Sequence, residues 1–308
     1  MTITDLLKEL SNITNNDNPD KIRKLILSTR ATIIIPTLVL GKGCYIYRAT
    51  PITDIADINE SKRLSYKPAY LNKTYQRAST PFNTMFYGIV SNTYTNAVMG
   101  CLGETCDCLR NINTPNKHYK VVISEWKLKK DVALVQMISI KGFNKSKVFN
   151  NQKEITKMIK VNNAQNELEN IKFLEFMSRE FKKKSQQESD YWISAIYTEF
   201  LTQLLGYNGI VYESVQAIDP TLSEVKCIAL TPNFTDNNLS FEQGIVYEFD
   251  FKGINETIVP YKTGKITAQV RKSVDSPPGM LTEDHHHTVH EERQVCYSSH
   301  LRPKSLHL

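Results

Sequence analysis

The sequence predicts a fold that mixes helices and strands, and three observations carry that expectation. Apolar residues recur at helical spacing in residues 2–30, 155–181 and 191–205. Short runs rich in Val, Ile, Tyr and Phe, bounded by turn residues, read as strands. The chain has 308 residues, 41% of them hydrophobic and 23% charged, which is ordinary globular composition with ample material for a core.

Taken in order, residues 2–30 predict one or two short helices. Leu6, Leu7 and Leu10 share one face and Ile22, Leu25 and Ile26 another, while Asn16-Asp17-Asn18-Pro19 separates them. Residues 31–40 are β-branched and apolar, and Pro36 limits them to an edge or a bend. Gly41-Lys42-Gly43 turns the chain into a strand at 44–49 that ends near Arg48. Residues 52–72 read as an irregular surface loop.

Residues 77–104 are the stretch around which the rest is arranged. Arg77 stands in a polar loop, a strand follows at 85–90, Ser91-Asn92-Thr93 turns, and 95–109 reads as helical. Residues 118–123 and 131–141 are further strand candidates, with Trp126 to Lys130 between them. Lysine, asparagine and glutamate dominate 145–190, but the apolar residues from Ile155 to Phe181 keep helical spacing, so a helical insertion packed on the core is expected. A helix at 191–205 ends at Gly206, a natural C-cap, and an Asn-Gly turn leads into a strand that ends at Ser214. Residues 224–230 and 244–251 complete the strands. Periodicity fades beyond Gly264, and a poorly ordered tail is expected over 265–308.

Composition narrows the function. A net charge of +6 favours anionic ligands but is too modest for this length to mark a nucleic-acid binder. No basic region leads into an apolar stretch with a cleavage site, and the longest apolar run, 31–40, is about half of what spans a bilayer. Cys44, Cys101, Cys106, Cys108, Cys227 and Cys296 are sparse in so long a chain and read as reduced thiols, so a cytoplasmic protein is expected, with no membrane partner.

Familiar signatures are missing. Neither GxxxxGK[ST] nor GxGxxG can be completed at Gly41 and Gly43, and there is no GxSxG, HExxH or paired CxxC. His285-His286-His287 with His290 lacks a cysteine or carboxylate frame at fixed spacing, so no metal is expected. What remains is a set of single residues at or after strand ends: Arg48, Arg77, Tyr87, Glu104 and Ser214.

Those residues sit in three blocks: YIYRA at 45–49, RASTPFNTMFYGIV with NAVMGCLGE at 77–104, and WISAIYTEFLTQLLGYNGIVYES at 192–214. The pattern resembles the RES domain family over roughly residues 40–235. The resemblance implies an α+β fold like that of ADP-ribosyltransferases, with twisted β-sheets around an NAD cleft. A helical N-terminal segment over 1–39 would precede a catalytic domain over 40–264, which carries the helical insertion. It implies a toxin of a toxin–antitoxin pair that breaks the bond between nicotinamide and ribose of NAD, with NAD as substrate and no cofactor. Glu104, Arg48 and Ser214 would be catalytic, Arg77, Tyr87 and Tyr47 would bind substrate, and a protein antitoxin would occlude the cleft. Two alternatives are a protein mono-ADP-ribosyltransferase and a non-catalytic binding module.

The residue types suit that chemistry. Cleavage develops positive charge on the ribose, which a carboxylate stabilises where the charge appears. Guanidinium groups fork onto phosphate oxygens, and a tyrosine ring offers a stacking face for nicotinamide.

Overall fold

The computed structural model describes residues 1–29, 33–51, 61–106, 117–137, 139, 159–160, 166–214, 225–251, 269–273, 297–298 and 305–306. Expectations for 52–60, for Ile155 and Met158, for Leu109, Cys108 and Cys296, and for the histidine tract lie outside them.

The chain begins with α1 (Ile3–Ser11), capped by a reciprocal box between Thr2 and Asp5, and α2 (Pro19–Leu27), started by Asn18 with Pro19 in its first turn. Leu6, Leu10, Ile22 and Ile26 are buried and Leu7 and Leu25 half-buried, as the helical spacing requires. The apolar run at 31–40 gives β1 (Ile33–Ile34) and β2 (Thr37–Leu40), interrupted at Pro36. Next come β3 (Tyr45–Pro51), β4 (Phe86–Val90) and α3 (Tyr94–Thr105), whose cap is Thr93.

β5 (Lys117–Leu128) runs further than its Val and Ile core suggests, because it pairs along its length with β9 (Leu239–Phe251). Trp126 to Leu128 therefore belong to a strand rather than to a connector. β6 (Val132–Met137) follows, and in the expected insertion Ile159 is buried and α4 (Glu167–Lys182) buries Phe173, Leu174, Phe176, Met177 and Phe181. The helix expected at 191–205 is composite. A 3₁₀ turn (Glu188–Tyr191) leads into α5 (Trp192–Glu199), and the last turn (Phe200–Leu204) widens to π geometry. Thr198 and Thr202 back-bond to the carbonyls four residues earlier, which favours such bending. Gly206 then takes the left-handed conformation at φ +70°.

β7 (Gly209–Glu213) and β8 (Lys226–Leu230) come next, then the short helix α6 (Pro232–Asn238), with Thr231 as cap and Pro232 at its start. β10 (Gln269–Ser273), β11 (Tyr297–Ser298) and β12 (Ser305–Leu306) are short pairings made by the C-terminal residues.

The described strands form a ten-stranded sheet in the order β10-β9-β5-β3-β4-β8-β7-β6-β2-β11, with β1 paired to β12 apart from it. β6 and β7 run parallel and the other described pairings are antiparallel. The architecture is α+β with a mixed sheet. Strand alternation divides the core in two. Tyr47, Ile89, Ile123, Tyr212 and Cys227 join the helical face with α1 to α5, whereas Ile46, Phe86, Val122, Val211 and Ile228 pack with Phe234 of α6. No described helix is long and apolar enough to cross a membrane.

Candidate functional site

β3 and β4 are joined by one residue pair, Tyr47 opposite Ile89. On its other side β3 pairs with β5 over seven residues, from Tyr45 to Pro51, so the sheet is continuous there and splayed between β3 and β4. A cavity of about 330 Å³ opens at this point. One cross-strand row runs beneath it: Tyr47 faces Ile89, Ile89 faces Cys227, and Cys227 faces Tyr212. α3 packs closely on the row, because a Cβ on Gly100 would stand 3.4 Å from Cγ2 of Ile89 and 2.6 Å from Cγ1 of neighbouring Val225.

Arg48 bridges the splay. Its Nη1 donates to the Tyr87 carbonyl at 2.7 Å, giving a partner to a backbone group beside the gap. The guanidinium lies 5.5 Å from the Phe86 ring, and its Nε is buried with no hydrogen-bond partner among the described residues. The Arg48 carbonyl accepts from Ser124 Oγ at 3.1 Å, and Trp126 Nε1 donates to the same hydroxyl. Burial holds the Arg48 pKa below its usual value.

Arg77, 9% exposed, is gripped from several directions. Its Nη1 donates to the carbonyls of Phe181 and Lys183 at the C-terminal end of α4, where unsatisfied carbonyls and the helix dipole both favour a cation. The rings of Tyr191 and Tyr212 lie 5.3 and 5.9 Å from the guanidinium carbon. Tyr87 fixes the loop that bears this arginine: its hydroxyl accepts from the Ala78 amide at 3.0 Å and pairs with Ser79 Oγ at 2.8 Å. Burial pushes the Tyr87 phenol up to about 12, so it stays protonated across the physiological range.

Glu104 stands in the last turn of α3. Ser214, just past the end of β7, donates to its Oε1 at 2.6 Å, and Cys227 Sγ approaches the same oxygen at 3.5 Å. Tyr47 contributes a ring to the wall and is met edge-on by Tyr94 at 5.5 Å.

The structure thus brings together every residue singled out from the sequence. Tyr47, Arg48, Arg77, Tyr87 and Glu104 line the cavity, and Ser214 is bonded to one of them. The arginines are less free than a phosphate fork requires, since each has its Nη1 on a main-chain carbonyl. Gln76, Cys101, Tyr191, Tyr212 and Cys227 also line the cavity and were not anticipated. Tyr212 was within reach of period-two reasoning, because it lies two residues before Ser214 on the same strand face. Nothing in the local pattern marks Gln76 or Tyr191.

Other carboxylates near the site are held by ion pairs. Glu199 accepts from Thr80 Oγ1 at 2.8 Å and pairs with Arg23 Nε at 2.8 Å. Glu213 contacts Lys182 and lies 3.7 Å from Lys226. Among the described residues no group of His, Cys, Asp and Glu is arranged to hold a metal, and Cys44, Cys101, Cys106 and Cys227 carry no disulfide. No protein-family model matches the chain, and no curated protein matches it.

Proposed function

We propose that this chain consumes NAD by breaking the bond between nicotinamide and ribose, and that it is a RES-like toxin held in check by a protein antitoxin. One observation carries the reading. Six residues between positions 47 and 214, which the resemblance implies for the site, line one cavity or touch a residue that does. The volume of about 330 Å³ lies at the small end of ligand pockets, which run from roughly 300 to 1,000 Å³. That is room for one nucleoside half of a dinucleotide.

In the proposed reaction the bond between ribose C1′ and nicotinamide breaks, and its electron pair returns to the pyridinium nitrogen. Neutral nicotinamide leaves. The Glu104 carboxylate, held by Ser214, stabilises the positive charge that develops on the ribose. Arg48 and Arg77 supply positive charge for the diphosphate, and the tyrosines give stacking faces for the nicotinamide ring. An oxygen nucleophile then bonds to C1′; if it is water, it releases a proton.

A second reading, transfer of ADP-ribose to a protein, is favoured by a different observation. Tyr70, Leu71 and Phe82 are exposed on the segment that bears Arg77, and Phe82 presents its ring from a left-handed backbone conformation, φ +62°. Incubating the purified protein with NAD, with and without phosphate, and resolving products by mass separates the readings. Free nicotinamide with ADP-ribose or its phosphorylated form supports the proposal. A mass increment on protein supports the second reading, and binding without turnover leaves a non-catalytic module.

An NAD-draining enzyme harms the cell that makes it, so the proposed inhibitor would press an anionic group against Arg48 or Arg77. Expression without that inhibitor is expected to lower cellular NAD and stop growth. Unchanged NAD and growth with folded protein present would remove the toxin reading.

A further inference from the structure

We propose that Cys227 is a positioning residue for Glu104, its thiol and the Ser214 hydroxyl together holding carboxylate Oε1 so that Oε2 faces the substrate. The inference rests on the reading of Glu104 as the charge-stabilising group. Two donors converge on one oxygen, Ser214 Oγ at 2.6 Å and Cys227 Sγ at 3.5 Å, and no described group donates to Oε2. A carboxylate anchored through one oxygen keeps the other aimed, which is what preorganised stabilisation requires.

The two donors differ in rigidity. Ser214 follows the last residue of β7, whereas Cys227 lies within β8, paired to Ile89 on one side and to Tyr212 on the other. The strand therefore fixes the thiol, 3% exposed, before any ligand arrives. The thiol is also a donor rather than a rival anion. Burial first, and then the adjacent Glu104 charge, push its pKa well above the ordinary value, while Arg77 acts the other way only in part. Cys101 on α3 and Tyr212 on β7 are likewise driven upward by burial, so the neighbours of Glu104 add no second negative charge.

Cys227→Val removes the donor and Cys227→Ser restores one. With NAD as substrate, the valine variant is expected to lose about 3- to 10-fold in kcat with KM within about twofold, the scale of one ordinary hydrogen bond, as suits a weak thiol donor. The serine variant should recover most of that loss. The infrared S–H stretch of Cys227 in ligand-free full-length protein, assigned by difference against Cys227→Ser, gives a readout independent of turnover. It should move to higher frequency in Glu104→Gln as the acceptor weakens. An unmoved band, unchanged kcat in the valine variant, or equal losses in the valine and serine variants would overturn the proposal. Should the wild type not turn over NAD, the proposed reaction fails, and the band alone decides whether the thiol holds Glu104.

Discussion

Glu104 and Arg48 meet the same cavity with opposite charge and different freedom. Glu104 has one oxygen anchored by Ser214, while Arg48 has one nitrogen on the Tyr87 carbonyl and its Nε without a partner among the described residues. If Glu104 acts where charge develops, Glu104→Gln should lower kcat by about 10²- to 10³-fold and leave NAD affinity nearly unchanged. Single-turnover rates and a separate binding titration check this. Near-normal turnover would remove Glu104 from the mechanism. Arg48→Lys is expected to recover only part of the NAD affinity lost in Arg48→Ala, because one ammonium cannot serve both the Tyr87 carbonyl and a phosphate. Full rescue by lysine would argue against a guanidinium that serves the carbonyl and the phosphate together.

At this scale the sequence was legible where chemistry and strand period coincide. Ser214 marks the end of a strand, and Tyr212, two residues before it, shares its face. Gln76 lines the cavity beside Arg77 in a tight turn closed on Ser79, and Tyr191 reaches it because Arg77 stacks on its ring; no local pattern carries that information.

Elements meet around the site through charges set between them. Arg77 closes the C-terminal end of α4, so Arg77→Ala should weaken NAD binding and also cost about 1–3 kcal/mol of stability by leaving the buried Phe181 carbonyl without this donor. Glu213 at the end of β7 sits between Lys182 of α4 and Lys226 of β8. Burial alone would raise its pKa, but Lys226 and Lys182 outweigh it and hold the carboxyl below its ordinary value. A depressed carboxyl contributes stability that is complete above its unfolded pKa and is lost as pH falls through the folded one. Urea unfolding should therefore show Glu213→Gln less stable than wild type by about 1–3 kcal/mol at pH 7, with the gap narrowing below about pH 4. A gap that persists unchanged at low pH would contradict the ion-pair account.

Most of these elements were foreseeable. The caps at Thr2, Asn18 and Gly206 and the alternation in β3, β7 and β8 are local signals. The extra length of β5 and β9 was not foreseeable, because each is lengthened by the other across more than a hundred residues of chain. α6 was missed although Thr231-Pro232 is a recognisable start, since its seven residues carry little apolar periodicity.

On the scale of the whole molecule, the cavity depends on one break in a continuous sheet. The elements that build it lie between β3 and β8, and the C-terminal strands β10, β11 and β12 attach to β9, β2 and β1 outside that zone. Truncation after Gly264 is therefore expected to leave the melting temperature and activity largely unchanged, and loss of either would make the C-terminal residues integral to the fold or the site. The splay between β3 and β4 was not legible in the sequence, because it is set by how much of the two strands pairs. Tyr47, Arg48, Tyr87 and Glu104, which line it, were.

The most direct test is the release of free nicotinamide by the purified full-length chain incubated with NAD, followed against the loss of NAD. One nicotinamide for each NAD consumed, at a rate far above that of buffer alone, is the predicted result. Folded protein that binds NAD and leaves it intact would contradict the assignment of the cavity as a site of glycosidic cleavage.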